Sequence, residues 1–186
     1  MNTTSLSFNG FNNLCNEGIK NALENFNKKN NIPIIVCVGS DLVLGDSLGP
    51  LVGTLLKKKN IKTYIYGNLN FPITAKEVEY AKNYIKIMHE NSFIIAIDAA
   101  VGEEEDIGLI KVIDKGLKPG LGAGKNLGVL GDASIIGIVS TKSNKNYNLF
   151  NLTRLNLVYR LAEKIADGIE KYILSFEKEY QNKNAI

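Results

Sequence analysis

A buried strand followed by a loop rich in glycine and aspartate most constrains the fold of this chain. Residues 32–38 form a short apolar, largely β-branched run, which predicts a strand covered on both faces. Residues 39–50 follow with three glycines, Asp41 and Asp46, and residues 51–59 then predict a helix with a basic last turn. In open α/β sheets, ligands bind in the loops that follow the carboxyl ends of such strands.

The acids of this loop have two interpretations each. Asp46 is either a chemical group in a crevice or an ordinary helix cap, because short motifs of this kind are weak evidence on their own. Asp41 is either a further acid that contacts a substrate in the same crevice or the side chain of an Asx turn.

The same alternation of strands and helices continues along the chain. Buried strands separated by helices predict a three-layer α/β/α sandwich with a mainly parallel central sheet of about five strands. The fourth strand follows the third closely and should form a hairpin or an antiparallel edge. The predicted strands are 32–38, 61–66, 93–97, 109–113 and 133–139, and the predicted helices are 9–28, 51–59, 74–89 and 149–177.

The length of 186 residues predicts one main domain. Residues 1–31 should add an N-terminal helix packed on that domain, residues 32–178 should form the domain itself, and residues 179–186 should be a frayed tail.

Composition excludes several classes of protein. A net charge of +3 with scattered lysines argues against nucleic-acid binding, and no apolar run approaches the roughly 18 residues of a membrane span. Two cysteines and one histidine, His89, predict no metal site and no cofactor, although aspartates can hold a hard cation in principle. His89 should interact with the C-terminus of its helix. This cysteine usage is typical of a reducing cytoplasm.

Two aspartates carry the strongest chemical signal. Asp46 follows the first predicted strand and Asp98 follows the third, and in a sheet of order 2-1-3 these strands are neighbours at the switch point. Two carboxyl groups brought close together share a proton, so one can activate a water while the other polarises a carbonyl, which suits amide hydrolysis. The alternative is that Asp46 caps a helix and Asp98 hydrogen-bonds a nearby loop.

A glycine-rich loop covers residues 116–131. It matches neither standard phosphate-binding pattern. Gly-x4-Gly-Lys-[Ser/Thr] needs glycine where this chain has Pro119 and Ser or Thr where it has Asn126, and Gly-x-Gly-x-x-Gly needs glycine where it has Lys125. A flap that lets a substrate backbone approach fits better, with Gly120, Gly122 and Gly124 in contact with the substrate. Lys125 then holds a carboxylate or an oxyanion, or is simply exposed.

Taken together, these segments resemble the YyaC-type sporulation family, relatives of the bacterial spore germination protease. The resemblance covers residues 32–172 in one order and includes the motif Gly-Asp-Ser-Leu-Gly-Pro. The segments that carry it are 38–41, 45–53, 97–99, 118–120, 122–125, 131–139 and 151–158.

The resemblance implies a fold similar to the germination protease and the hydrogenase maturation endopeptidases. It also implies an atypical aspartic endopeptidase, whose two catalytic aspartates correspond to Asp46 and Asp98. The chain has no histidine in the loop that binds nickel in the maturation enzymes. It is shorter than the germination protease and lacks an obvious propeptide, so autoprocessing and an identical substrate are not carried over.

The expected protein is therefore a cytoplasmic hydrolase of the forespore or spore core that acts on a protein or peptide. Small acid-soluble spore proteins are one candidate substrate. Two rivals remain: a non-catalytic binding or regulatory spore protein that keeps the same fold, and a metal-dependent hydrolase that uses the same acids. A homo-oligomer is left open.

Overall fold

The computed structural model describes residues 3–119, 128–141 and 153–184, and there four helices pack against a six-stranded mixed sheet. The strands are β1 (Ser5–Asn9), β2 (Ile34–Cys37), β3 (Ile65–Tyr66), β4 (Ile94–Gly102), β5 (Leu109–Ile113) and β6 (Ala133–Thr141). The helices are α1 (Cys15–Phe26), α2 (Leu48–Lys58), α3 (Val78–Met88) and α4 (Leu155–Asn184), and two 3-10 helices span Leu44–Ser47 and Glu104–Asp106. None of these helices is long and apolar enough to cross a membrane.

The sheet has the order β1-β5-β6-β4-β2-β3. The pairs β3–β2, β2–β4 and β4–β6 are parallel, whereas β5 is antiparallel to both β6 and β1. The chain goes from β2 to β3 on one side and returns to β4 on the other, so the topological switch point lies between β2 and β4. The predicted α/β class and the predicted neighbours at the switch point are both confirmed.

The strand predictions were wrong in three places. β1 was missed, because its side chains are mostly exposed and give no apolar signal. β5 is antiparallel to its neighbours, as predicted, but it forms neither a hairpin with β4 nor an edge, because β2 and β6 already flank β4, and β1 covers the outer side of β5. β4 does not stop before Asp98 but continues to Gly102, paired with β6 throughout.

Both faces of the sheet are covered, which explains why its central strands are apolar on both sides. Ile35 and Cys37 of β2 face a core formed with α1, α2 and α4, whereas Ile34 and Val36 face a smaller core formed with α3. The helical part of residues 1–31 belongs to the larger core, and the last helix extends to Asn184, into the region predicted as a tail.

Glycines let α2 lie directly on the sheet backbone. A Cβ at Gly49 would stand 2.0 Å from the carbonyl oxygen of Val38, and a Cβ at Gly53 would stand 1.9 Å from that of Gly67. Any larger side chain at these positions would push α2 away from β2 and β3. The glycine spacing of the motif therefore fixes where the loop before α2 must run.

Gly39 fixes the start of that loop. Its φ of +137° is rarely adopted by L side chains, and a Cβ would stand 2.1 Å from the Asp46 carbonyl oxygen. We expect Gly39→Ala to lower the free energy of unfolding by about 2 to 4 kcal/mol. Urea unfolding followed by circular dichroism measures this, with Asp41→Ala, an exposed position in the same loop, as the control that changes stability by less than about 0.5 kcal/mol. Equal stability of Gly39→Ala and wild type would contradict this role of Gly39.

Candidate functional site

A tight loop at the carboxyl end of β2 positions Asp46. The Ser40 N–H donates to the Asp46 carbonyl oxygen at 3.1 Å, and the Asp46 N–H donates to the Val43 carbonyl oxygen at 2.9 Å. Ser47 Oγ donates to the Leu44 carbonyl oxygen at 2.7 Å, so a 3-10 turn leads directly into α2. No side-chain hydrogen bond caps the start of this turn or of α2. The helix-cap interpretation of Asp46 is therefore not supported.

Asp98 lies within β4, between two neighbouring strands. Val38, which follows β2, donates its N–H to the Ile97 carbonyl oxygen at 2.8 Å, and Asp98 itself is paired with Ile136 of β6. Because side chains alternate along a strand, Asp98 shares the sheet face of Ala96, which packs in the α3 core. Asp98 is half-buried, and its carboxyl group accepts the Ala99 N–H at 2.8 Å.

The two carboxyl groups interact electrostatically. Burial, and after it the negative charge of Asp46, raise the pKa of Asp98, the Ala99 N–H lowers it, and the net result is a pKa of about 8. Burial also raises the pKa of Asp46, against the effect of the Ser40 N–H. Asp46 raises the pKa of Asp98 through its charge, so the interaction favours a single proton on the pair, held by Asp98. Since the groups are coupled, they titrate as a pair.

Of the other predicted substrate-binding residues, the structure describes only Asp41. Asp41 is exposed, and the side chain that makes the local turn is that of Ser40, whose Oγ accepts the Leu42 N–H at 3.2 Å. Gly120, Gly122, Gly124 and Lys125 lie outside the described residues. The flanks of that segment, Leu117 and Leu130, hydrogen-bond each other at 3.0 and 2.8 Å and pack in the α3 core, on the face that carries Asp98.

His89 stands apart from the two acids. It follows the last residue of α3, and its backbone N–H donates to the Ile85 carbonyl oxygen at 2.9 Å. Its ring hydrogen-bonds Tyr66 Oη through Nε2 at 2.7 Å and contacts the ring of Tyr64. Within the described residues, no group of three or more histidines, cysteines, aspartates and glutamates is arranged to hold a metal ion.

Sequence reasoning missed the residues that set the properties of the pair. Ser40 supplies the backbone donor near Asp46, and Val38 and Ile136 are the neighbours of Asp98 on the two adjoining strands. Because side chains alternate between the two faces of a strand, the positions of these residues beside Asp98 could have been predicted, but only once the register of the strands was known.

Comparison with known proteins finds a similar protein and a matching family. The "Uncharacterized protein YyaC" of Bacillus subtilis (strain 168) is 40% identical over 137 residues, which is 73% of this chain and 67% of the relative. The family described as "Protein of unknown function (DUF1256)" matches residues 8–168, which include both Asp46 and Asp98. The chain therefore belongs to the DUF1256 family.

Proposed function

We propose that this protein is a peptidase that hydrolyses peptide bonds with a water activated between Asp46 and Asp98. The observation that carries the proposal is that β2 and β4 are parallel neighbours, so that the loop of Asp46 and the strand of Asp98 meet at one edge of the sheet, where the charge of Asp46 helps to raise the pKa of Asp98. Perturbed and mutually coupled carboxyl groups at the carboxyl edge of a parallel sheet are typical of catalytic sites.

The two acids differ in protonation, and this difference assigns their roles. The Asp46 carboxylate takes a proton from water as the water oxygen attacks the carbonyl carbon of the scissile bond. The protonated Asp98 donates a hydrogen bond to the carbonyl oxygen and then its proton to the developing tetrahedral intermediate. As the C–N bond breaks, Asp46 passes the proton that it took from water to the leaving amine. Ionised Asp98 takes back a proton from a hydroxyl group of the collapsing intermediate as the carboxylic acid product forms, so the pair ends as it began, with Asp98 protonated and Asp46 ionised.

The local hydrogen bonding of Asp98 favours a chemical role over a purely structural one. Within the described residues, its partner is the N–H of the very next residue, Ala99, rather than a donor on another element. A carboxyl group retained only to hold the fold together would ordinarily bridge elements, because burying it without such partners is costly.

The biological setting we propose is the spore. The segments that resemble the germination protease and its relatives include the loop of Asp46 and the strand of Asp98. On this basis we place the protein in the cytoplasm of the forespore or the spore core, with a protein or peptide substrate and a fold similar to the germination protease.

Cleavage of the proteins in a spore extract tests the proposal. Purified protein is incubated with spore protein extract at pH 6, with and without an exhaustive chelator, and new peptide ends are identified by mass spectrometry. New ends that form in the presence of the chelator support the aspartate pair. Ends that vanish with the chelator favour the metal-dependent hydrolase, and binding without new ends favours the non-catalytic protein.

A further inference from the structure

β4 extends past the end of the strand beside it. β2 pairs only with residues 94–97 of β4, and the N–H of Val38 adds a last bond on this side, whereas β6 pairs with β4 up to Gly102. Within the described residues, the side of β4 that faces away from β6 therefore has no neighbouring strand from Ala99 onward. We call this side of residues 99–102 the open edge of β4. Unpaired strand edges are templates for pairing with another chain.

The alternation of main-chain groups shows which atoms face the open edge. The N–H and C=O groups of successive residues in a strand point to opposite sides. The Ile97 carbonyl oxygen accepts its bond from the β2 side, and the Ile94 carbonyl oxygen accepts one from the β6 side. The irregularity in the pairing adds a residue to β6, so β4 keeps this alternation. The Ala99 carbonyl oxygen and both main-chain groups of Val101 therefore face the open edge, and none has a hydrogen-bond partner among the described residues.

The chain that follows β2 does not fill this edge. Leu48, the first residue of α2, lies over the sheet, because a Cβ on Gly137 of β6, the partner of Ala99, would stand 2.4 Å from Leu48 Cδ2. The 3-10 helix that carries Asp46 leads into α2 and packs near α4, so it passes over that face of β4, and no backbone hydrogen bond joins the two among the described residues. Residues 98–101 are accordingly only half-buried. The described residues thus leave open the position of a next strand in the plane of the sheet.

Asp98 borders this open position directly. Its Oδ1 accepts the Ala99 N–H, and this N–H belongs to the set that points to the open edge. The carboxyl group is therefore held at the edge itself. A strand added here would lie about 4.8 Å from β4, the usual spacing within a sheet, and would run past Asp98.

We propose that the substrate binds as an additional strand along the open edge of β4, with main-chain hydrogen bonds to Ala99 and Val101. The inference rests on the proposed function, because it gives the substrate of that site its conformation. Donors and acceptors that alternate along a strand edge are complementary to an extended polypeptide backbone, so the occupant is a peptide segment. Since main-chain bonds carry the affinity, the substrate must be unfolded or extended around the scissile bond.

N-methylated peptides test this mode of binding, because a strand can pair only through an edge that keeps its N–H groups. Fluorescence anisotropy with the Asp98→Asn protein measures the affinity for a labelled six-residue peptide of alternating Thr and Val. Two modified peptides carry two N-methyl groups each, either two residues apart, on one edge, or on adjacent central residues, one on each edge. We expect the first to bind within about threefold of the unmodified peptide and the second at least about tenfold more weakly.

Val101→Pro tests the same contact from the side of the protein. Proline is tolerated where the strand N–H faces away from the sheet, and it removes the donor of Val101 without breaking a bond to β6. We expect the unmodified peptide to bind at least about tenfold more weakly to this variant. Ser7→Pro is the matched control, because Gly10 of the same edge strand donates its N–H to Gly108, next to β5, so the N–H of Ser7 faces outward. Its affinity for the peptide should be unchanged.

The outcomes separate strand addition from peptidase activity. Equal affinities for the two methylated peptides, no measurable binding of the unmodified peptide, or a folded Val101→Pro variant with undiminished affinity would each overturn strand addition. If circular dichroism shows that Val101→Pro is unfolded, the methylated peptides decide alone. Binding that needs one unmodified edge, in a wild-type protein that cleaves neither this peptide nor the proteins of a spore extract, would overturn the peptidase proposal alone.

Discussion

Replacing Asp98 by asparagine should lower kcat/KM for peptide cleavage by roughly 10² to 10⁴-fold. Asparagine keeps the size of the side chain and an oxygen that can accept the Ala99 N–H. It cannot release a proton to the carbonyl oxygen of the substrate, so the tetrahedral intermediate loses its acid. Initial rates of cleavage of a defined peptide measure the change, and circular dichroism shows that the fold is retained.

Asp46→Asn should cause a loss of similar size for the opposite reason. An amide cannot take a proton from the attacking water, so the nucleophile is not activated. Asp114→Asn is the control, because Asp114 is an exposed acid after β5, away from the switch point. Wild-type rates in both Asp46→Asn and Asp98→Asn, with Asp114→Asn equally active, would contradict the assigned chemistry.

The stability of the wild-type protein should fall as the pH rises from about 4 to about 8. The pKa of Asp98 is about 8 in the folded protein, whereas an unfolded aspartate titrates near 4. Between these values the folded state holds a proton that the unfolded state has lost, so each rise in pH favours unfolding. The contribution of Asp98 is complete below pH 4 and is lost as the pH passes through 8.

Asp98→Asn should remove most of this pH dependence, because the amide resembles the protonated acid and does not titrate. We expect the variant to match wild type near pH 4 and to be more stable at pH 8.5 by on the order of a few kcal/mol. Urea unfolding at both pH values gives the difference. Asp114→Asn should follow the wild-type curve, and parallel curves for wild type and Asp98→Asn would show that Asp98 ionises without cost.

The sequence was sufficient to predict that the strands beside Asp46 and Asp98 are neighbours, because the argument needed only strand order. Two buried strands, each followed by an aspartate, become neighbours at a switch point whatever their exact lengths. The register then places Val38 opposite Asp98, which no pattern in the loop itself reveals.

Details that depend on long-range pairing could not be predicted. The side chains of β1 are mostly exposed, and the segment forms a strand because its backbone pairs with the outer side of β5. The end of β4 was misplaced because Asp98 interrupts the apolar run, although pairing with β6 carries the strand on to Gly102. The sequence left open whether Asp41 makes an Asx turn, and in the structure the side chain that makes the local turn is that of Ser40. Ser and Asp side chains can both make such turns, so only the fold distinguishes the two.

The claim on which both substitutions depend is that Asp46 and Asp98 share one proton. A carbon-13 NMR titration of the Asp98 carboxyl group, in wild type and in Asp46→Asn, tests it directly. We predict a wild-type pKa near 8 and a distinctly lower pKa in Asp46→Asn, because the neighbouring negative charge is gone. An Asp98 pKa near 4 in wild type, or one that the Asp46→Asn substitution leaves unchanged, would contradict the shared proton.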